Sequence, residues 1–117
     1  GVIGEDASDI YVYDVNAGTT TPLIDSNFDE GAPAYSPDGS ALLLHSDRNG
    51  PNYDIWVADS DGTNVRAFTS TARSDGFPIW SPDGQEIAFL RDRELWKVNF
   101  APNEANREYD QITRRYD

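Results

Sequence analysis

The tetrapeptide Ser36-Pro37-Asp38-Gly39 recurs as Ser81-Pro82-Asp83-Gly84, 45 residues further along the chain. The segment Asp54-Ile55-Trp56-Val57 repeats Asp9-Ile10-Tyr11-Val12 at the same separation. A third aromatic copy, Glu94 to Val98, follows after 40 residues, and the length difference falls in a hairpin where Asp92-Arg93 replaces segment 47–53. A period of about 40–45 residues is typical of the four-stranded blades of a β-propeller.

The residues between these motifs also favour short antiparallel strands. Turn-forming residues divide each repeat into four strand candidates. In both Ser-Pro-Asp-Gly copies, proline sets φ at the first central position and glycine accepts the left-handed exit, so these eight residues are predicted to be structural turns. The apolar run from Ala41 to His45 predicts a strand buried on both faces between neighbouring blades. Helix is expected nowhere except as one short turn in 102–108.

The predicted fold is therefore all-β, with antiparallel four-stranded propeller blades. Three blades are expected in 1–28, 29–73 and 74–117, and the first lacks its innermost strand and begins at Val2-Ile3. Closed propellers need about four to eight blades. We expect the ring to be completed by a second copy of the chain, by a companion chain or by further sequence. A contact between copies that fails to close would give open chains or fibres.

Composition limits the partners. The net charge of −12, from 21 acidic and 9 basic residues, argues against nucleic acid and against docking on an anionic membrane. No apolar run reaches the roughly 18 residues of a membrane span. The chain has no cysteine, which excludes disulfides, zinc–thiolate sites and a thiol nucleophile. The first residue is Gly1 rather than methionine, so we expect a processed or truncated chain.

Several motifs together resemble the TolB-type "WD40-like Pro-Asp" repeat. They are Pro33 to Gly39, Leu42 to Arg48, Asp54 to Val57 and Asp61 to Thr69. The resemblance implies a six-bladed propeller, periplasmic or extracellular, that acts as a protein-binding platform. It also implies that the turn aspartates are structural. Related propellers cover the catalytic domain of prolyl-oligopeptidase-type proteases, but nothing here matches the α/β amino-terminal domain of full TolB proteins.

No catalytic site is predicted, and the chain is not expected to be an enzyme. His45 is the only histidine, and there is no G-x-S-x-G motif. We expect His45 to pack at a blade interface or to form a hydrogen bond with a loop. The turn that contains Asp59, Asp61 and Asn64 resembles part of a calcium loop but lacks its bidentate glutamate. Local hydrogen bonding is favoured there, so no cofactor is predicted and calcium stays open.

The channel mouth is a stronger binding candidate. Innermost propeller strands line the channel, and their entry segments carry Asp29 and Glu30 in one blade and Ser74 and Asp75 in the next. Repeated around a ring, these acids would focus negative potential, which suits a cation, a basic peptide or an amine-bearing ligand. The alternative is an ordinary solvated loop. Five aromatic residues at equivalent strand positions are expected to pack in the core rather than form a stacking platform: Tyr11, Tyr35, Trp56, Trp80 and Trp96.

The favoured function is a non-enzymatic scaffold that binds a protein or ligand. Self-association through exposed blade edges is also expected, with a homodimer of two three-blade halves as one form. Two alternatives remain open: a self-assembling structural protein, and a fragment of the propeller cap of a prolyl-oligopeptidase-type hydrolase.

Overall fold

The structure is a computed structural model that describes residues 9–24, 28–48 and 50–112. Its strands form three antiparallel sheets. The first sheet contains β1 (Ile10–Asp14) and β2 (Thr19–Ile24). The second contains β3 (Glu30–Tyr35), β4 (Ala41–Ser46), β5 (Asp54–Asp59) and β6 (Arg66–Ala67). The third contains β7 (Asp75–Trp80), β8 (Glu86–Arg91), β9 (Glu94–Asn99) and β10 (Tyr109–Gln111).

The second and third sheets are meanders in which each strand pairs with the next one in sequence. This arrangement is that of a propeller blade, so the predicted all-β fold with four-stranded blades is confirmed. The strand predicted at Val2-Ile3 lies outside the described residues. The one short turn expected in 102–108 is present as a 3₁₀ helix over Glu104–Asn106, with Asn103 at its N-cap.

The hairpin that differs in length between the two complete blades has the expected form. Asp92 and Arg93 join β8 to β9, and both have positive φ, 48° and 74°. Two successive residues of this kind are typical of a two-residue type I′ turn, whose twist matches that of the flanking strands. In the second blade, the longer segment 47–53 joins β4 to β5.

The outer strand of the second blade, β6, covers only two residues. Only Arg66 and Ala67 pair regularly with β5. The backbone N–H groups of Phe68 and Thr69 both donate to the carbonyl oxygen of Ile55, at 2.7 and 3.0 Å, and Thr69 Oγ1 accepts from the Ile55 N–H. This shared acceptor breaks the regular ladder, so the strand ends early.

The core lies between the blades. On β4, Leu42 and Leu44 pack with Ile10 and Ile24 of the first blade, whereas Leu43 packs towards the third blade. All three leucines have no exposed surface. Adjacent side chains of a strand point to opposite faces, so a run of consecutive apolar residues suits a strand that lies between two blades. The prediction that this strand is buried on both faces is confirmed.

Backbone contact also joins the blades. Gly62 lies so close to the first blade that a Cβ there would be 2.4 Å from the carbonyl oxygen of Leu23. Between the second and third blades, Trp80 Nε1 donates to the carbonyl oxygen of Ala34 at 2.8 Å. Within the part of the chain that the structure describes, no helix has the length and apolar character needed to cross a bilayer.

Candidate functional site

The inner strands β3 and β7 carry the same bulge. Pairing shifts register between Gly31 and Ala34 in β3, and between Gly76 and Ile79 in β7. One residue inside each bulge has positive φ, 51° for Ala32 and 52° for Phe77. A non-glycine residue in this conformation carries strain of about 1–3 kcal/mol. The repeat therefore builds an equivalent strained position in both blades, and the third blade occupies it with an aromatic ring.

His45 lies between these two bulges. A Cβ on Gly31 would be 2.8 Å from its Nε2, and a Cβ on Gly76 would be 2.8 Å from its Nδ1. Nδ1 accepts a hydrogen bond from the Phe77 backbone N–H at 3.2 Å, so the neutral ring carries its proton on Nε2. Burial lowers the pKa of His45, and the nearby carboxylate of Asp29 opposes this effect. The prediction that His45 packs at a blade interface is confirmed.

A cleft of about 510 Å³ opens beside His45 at this end of the blade interface. Phe77, whose side chain is 63% exposed, and Leu90 supply apolar surface to it. Tyr53 and His45 also line the cleft, with ring centroids 5.0 Å apart, and Phe77 meets the imidazole edge-on at 4.9 Å. Its polar lining comes from Ser74, Asp75, Asp92 and Arg93.

The predicted channel-mouth acids Glu30 and Asp75 are in equivalent positions of the two blades, and both side chains are buried. Asp75 is fully buried, and its carboxylate accepts hydrogen bonds from Arg91 Nε and Nη2 at 2.8 and 3.2 Å. Glu30 is also buried and forms an ion pair with Arg48. Each of these two carboxylates is paired with an arginine, which opposes the negative potential expected at the mouth. Ligand binding by these residues stays a prediction.

The other two mouth residues, Asp29 and Ser74, are held by the hairpin of their own blade. The Asp29 N–H donates to Asp47 Oδ1 at 2.9 Å, and the Ser74 N–H donates to Asp92 Oδ1 at 3.1 Å. Asp29 Oδ2 also accepts from the hydroxyl of Tyr53, and this hydrogen bond is the main reason that the pKa of Tyr53 rises to about 12. The hairpin aspartate thus fixes the entry to the inner strand in both blades.

The two arginines that neutralise the buried acids come from different positions of the repeat. Arg48 follows β4 in the longer hairpin, whereas Arg91 is the last residue of β8. Each guanidinium nevertheless lies over the tryptophan of the third strand of its blade, 5.6 Å from the Trp56 ring and 5.2 Å from the Trp96 ring. Because Arg48 and Arg91 are not 45 residues apart, an alignment of the repeats does not show that they have equivalent roles.

The calcium-like turn uses its carboxylates locally. Asp61 Oδ1 accepts from the N–H and hydroxyl of Thr63 at 3.0 and 2.6 Å, and these hydrogen bonds lower the pKa of Asp61. Asp59 pairs with Arg66 at 3.3 Å, and Asn64 has positive φ and offers its carbonyl oxygen to the same arginine. The guanidinium of Arg66 contacts the Asp59 carboxylate and the Asn64 carbonyl oxygen, and it would compete with a cation for these two oxygens.

The two Ser-Pro-Asp-Gly turns have the same hydrogen bonds. Ser36 Oγ donates to Asp38 Oδ1 at 2.6 Å and accepts from the Ala41 N–H at 3.1 Å. The second copy repeats these contacts at 2.6 and 3.0 Å, with Ser81, Asp83 and Glu86 in the equivalent places. The hydrogen bond from Ser36 is the main cause that lowers the pKa of Asp38 to about 2. Gly39 and Gly84 have φ of 76° and 72°, which provides the left-handed exit.

The recurrent aromatic residues divide into two groups. Trp56, Trp80 and Trp96 pack against the two hydrophobic clusters, as expected. Tyr11 and Tyr35 are 56% and 45% exposed, so core packing is wrong for these two residues. The hydroxyl of Tyr35 donates to the carbonyl oxygen of Ser60 at 3.2 Å.

Sequence reasoning missed Phe77, Tyr53 and Arg93, which line the cleft together with Ser74 and Asp75. The sequence does contain one signal that could have identified Phe77. Gly-x-Pro recurs within the inner strands, at 31–33 and 76–78, and a proline inside a strand indicates an edge or a bulge. Comparison of the middle residue of the two copies would have singled out the aromatic at position 77.

Comparison with known proteins agrees with the architecture. The family model described as "PD40: TolB beta propeller domain" matches residues 3–113. An uncharacterized protein from Agrobacterium fabrum is 35% identical over 70 residues, which make up 60% of this chain and 24% of that protein.

Solved structures give the same result. A TolB-type protein from Agrobacterium tumefaciens aligns with a TM-score of 0.73 and 30% identity, over 86% of this chain and 40% of that chain. TolB from Acinetobacter baumannii aligns with a TM-score of 0.73 and 24% identity, over 97% and 28% of the two chains. The tricorn protease aligns with a TM-score of 0.67 and 19% identity, over 93% of this chain and 10% of that chain. The last two likenesses concern the fold alone, and the chain spans less than half of each of these proteins.

Proposed function

The chain belongs to the TolB β-propeller domain family, and we propose that it is a non-enzymatic scaffold that binds a protein or ligand at the mouth of the propeller channel. The observation that carries this proposal is the cleft between the second and third blades, with the exposed ring of Phe77 in it. We place this function in the periplasm or outside the cell, as membership of the family suggests.

The strain at Phe77 supports a role in binding. An aromatic residue at positive φ gains stability when its ring is buried, but most of the Phe77 side chain is exposed. Ala32 occupies the equivalent bulge, so the fold itself does not need an aromatic there. A strained residue that displays apolar surface beside a cleft is typical of a contact with a partner.

A second candidate is self-association through the blades. Ile79, Leu95 and Ile112 of the third blade are 60%, 41% and 41% exposed. Residues at the second blade's interface with the third are packed, as Leu43 and Val57 show. We propose that another blade covers the apolar side chains of the third blade, supplied by a second copy or by further sequence of a longer protein. Native mass spectrometry tests the first source, because a stable monomer at all concentrations excludes it.

Selection of peptides tests the proposed binding site. A random peptide library is displayed on phage and selected against the immobilised chain, and the enriched peptides are synthesised. Binding is then measured to the wild type, to Phe77→Ala and to Tyr13→Ala, a matched removal of an exposed aromatic side chain from β1. We expect Phe77→Ala to abolish binding and Tyr13→Ala to preserve it. Peptides that ignore Phe77, or the failure to enrich any, would contradict the proposal.

A further inference from the structure

We propose that the cleft binds an apolar group that ends in a carboxylate, and that Arg93 is the cation that pairs with this carboxylate. The inference rests on the proposed binding function of the cleft and names the chemistry of its ligand. It reverses the preference for cations that the acidic composition suggests.

The lining of the cleft contains one charged side chain without a charged partner among the described residues. Three charged residues line it, namely Asp75, Asp92 and Arg93. Asp75 is buried against Arg91, and Asp92 accepts from Arg73 Nε at 2.8 Å and from a backbone N–H. Over residues 9–24, 28–48 and 50–112, Arg93 has no ion pair and its side chain forms no hydrogen bond. The available charge of the lining is therefore positive, although the chain as a whole carries −12.

Arg93 is held at the edge of the cleft by a tight turn. It is one of the two central residues of the turn between β8 and β9, so its backbone is fixed by the hairpin. The equivalent hairpin of the second blade is longer and supplies Tyr53 to the same cleft. A guanidinium presents a planar fork of N–H donors that matches the two oxygens of a carboxylate.

Apolar surface lies beside this cation in the cleft. Phe77 and Leu90 line the cleft with Arg93 and would cover an aliphatic or aromatic side chain. Apolar cover excludes water and strengthens a charge pair at its edge. Two more carboxylates lie near Tyr53, those of Asp29 and Asp47, but neither residue lines the cleft. Asp29 accepts a hydrogen bond from the Tyr53 hydroxyl, and Asp47 accepts one from the Asp29 N–H.

Paired probes test the inference by isothermal titration calorimetry on the full chain. The first pair is an acetylated tetrapeptide that ends in phenylalanine, with either a free carboxyl terminus or a terminal carboxamide. The second pair is hydrocinnamate and hydrocinnamamide, and phenethylamine is the cationic probe. We expect each acid to bind about tenfold more tightly than its amide, since a hydrogen bond to a charged group is lost. Binding of the tetrapeptide alone indicates a peptide terminus, whereas binding of both acids indicates a free carboxylate.

Three variants separate the contribution of the Arg93 charge to binding from that of the apolar surface of Phe77. Arg93→Gln is expected to bring the acid-to-amide ratio to about one, the value for no charge pairing. Arg66→Gln, a matched change at an exposed arginine paired with Asp59, should leave the ratio unchanged. Phe77→Ala should weaken acid and amide alike. If acid and amide bind equally, or phenethylamine binds best, the inference is wrong, while loss of that binding in Phe77→Ala still supports the scaffold function. Absence of binding by every probe also overturns it.

Discussion

The Nδ1 atom of His45 accepts a hydrogen bond from the backbone N–H of Phe77, 3.2 Å away in the next blade. This bond joins the blade interface to the cleft, because the same two residues line it. A change at His45 therefore reaches the exposed ring through one backbone hydrogen bond.

Protonation of His45 should weaken the fold. Burial lowers its pKa from the ordinary value of 6.5. The unfolded chain then binds a proton at a higher pH than the folded chain does, so this contribution to stability is complete above pH 6.5 and declines as the pH falls towards the folded pKa. Protonated Nδ1 would also face the Phe77 N–H as a second donor. We expect His45→Leu, which introduces the residue found at the equivalent position 90, to remove this pH dependence. Urea unfolding of both proteins across this range gives the comparison, and equal slopes would contradict the assignment.

Gly76→Ala should destabilise the interface by about 1–3 kcal/mol, the usual cost of overpacking. The new Cβ would lie 2.8 Å from His45 Nδ1, and the backbone at Gly31 lies on the other side of the ring and limits its movement. A double-mutant cycle with His45→Ala tests this cause. In the His45→Ala background, Gly76→Ala should cost much less. A cost that is the same in both backgrounds would show that the strain lies elsewhere.

The sequence predicts the blades well because the same turn and strand motifs recur at a fixed separation along the chain. The Ser-Pro-Asp-Gly turns, the apolar strand 41–46 and the two-residue hairpin at Asp92-Arg93 have local causes in turn chemistry and alternation. These causes act within a few residues, so spacing alone locates them. The early end of β6 was not predictable in this way, since it depends on Thr69 Oγ1 accepting from the Ile55 N–H.

The charges of the site could not be predicted from the repeat. Glu30 and Asp75 occupy equivalent positions, but their arginines do not, since Arg48 lies in a hairpin and Arg91 on a strand. Only the three-dimensional structure shows that the acids are buried and neutralised. Arg93, at the repeat position of Arg48, is left without an acidic partner among the described residues. The sequence predicts an acidic channel mouth. In the structure the acids are paired with arginines, and the Arg93 guanidinium has no such partner among the described residues.

Ser36→Ala and Ser81→Ala should each cost about 1 kcal/mol, the usual contribution of a protein hydrogen bond. Each hydroxyl donates to an aspartate and accepts from a backbone N–H with nearly identical geometry in the two turns. Similar losses in urea unfolding are therefore expected for the two variants. Ser60→Ala, in another turn, is the control and should change little. Loss in one turn alone would mean that the copies are not equivalent in energy.

Arg107→Ala should be among the most destabilising single changes, at about 2–4 kcal/mol, because several contacts are lost together. Its side chain is 8% exposed, and its guanidinium lies 3.7 Å from the Phe68 ring centroid of the second blade. It donates to the carbonyl oxygens of Phe68 and Ala101 at 2.5 and 2.8 Å, and it pairs with Glu104.

Arg107→Lys distinguishes geometry from charge. Lysine keeps the positive charge but cannot reach carbonyl oxygens in several directions while its head group stacks on a ring. We therefore expect Arg107→Lys to recover less than half of the stability that Arg107→Ala loses. Arg66→Ala, at an exposed arginine with one ion pair, is the matched control and should cost less than about 1 kcal/mol. Urea unfolding followed by tryptophan fluorescence measures all three. If lysine restores wild-type stability, the contact acts through charge alone, and the hydrogen bonds to the carbonyl oxygens of Phe68 and Ala101 contribute little.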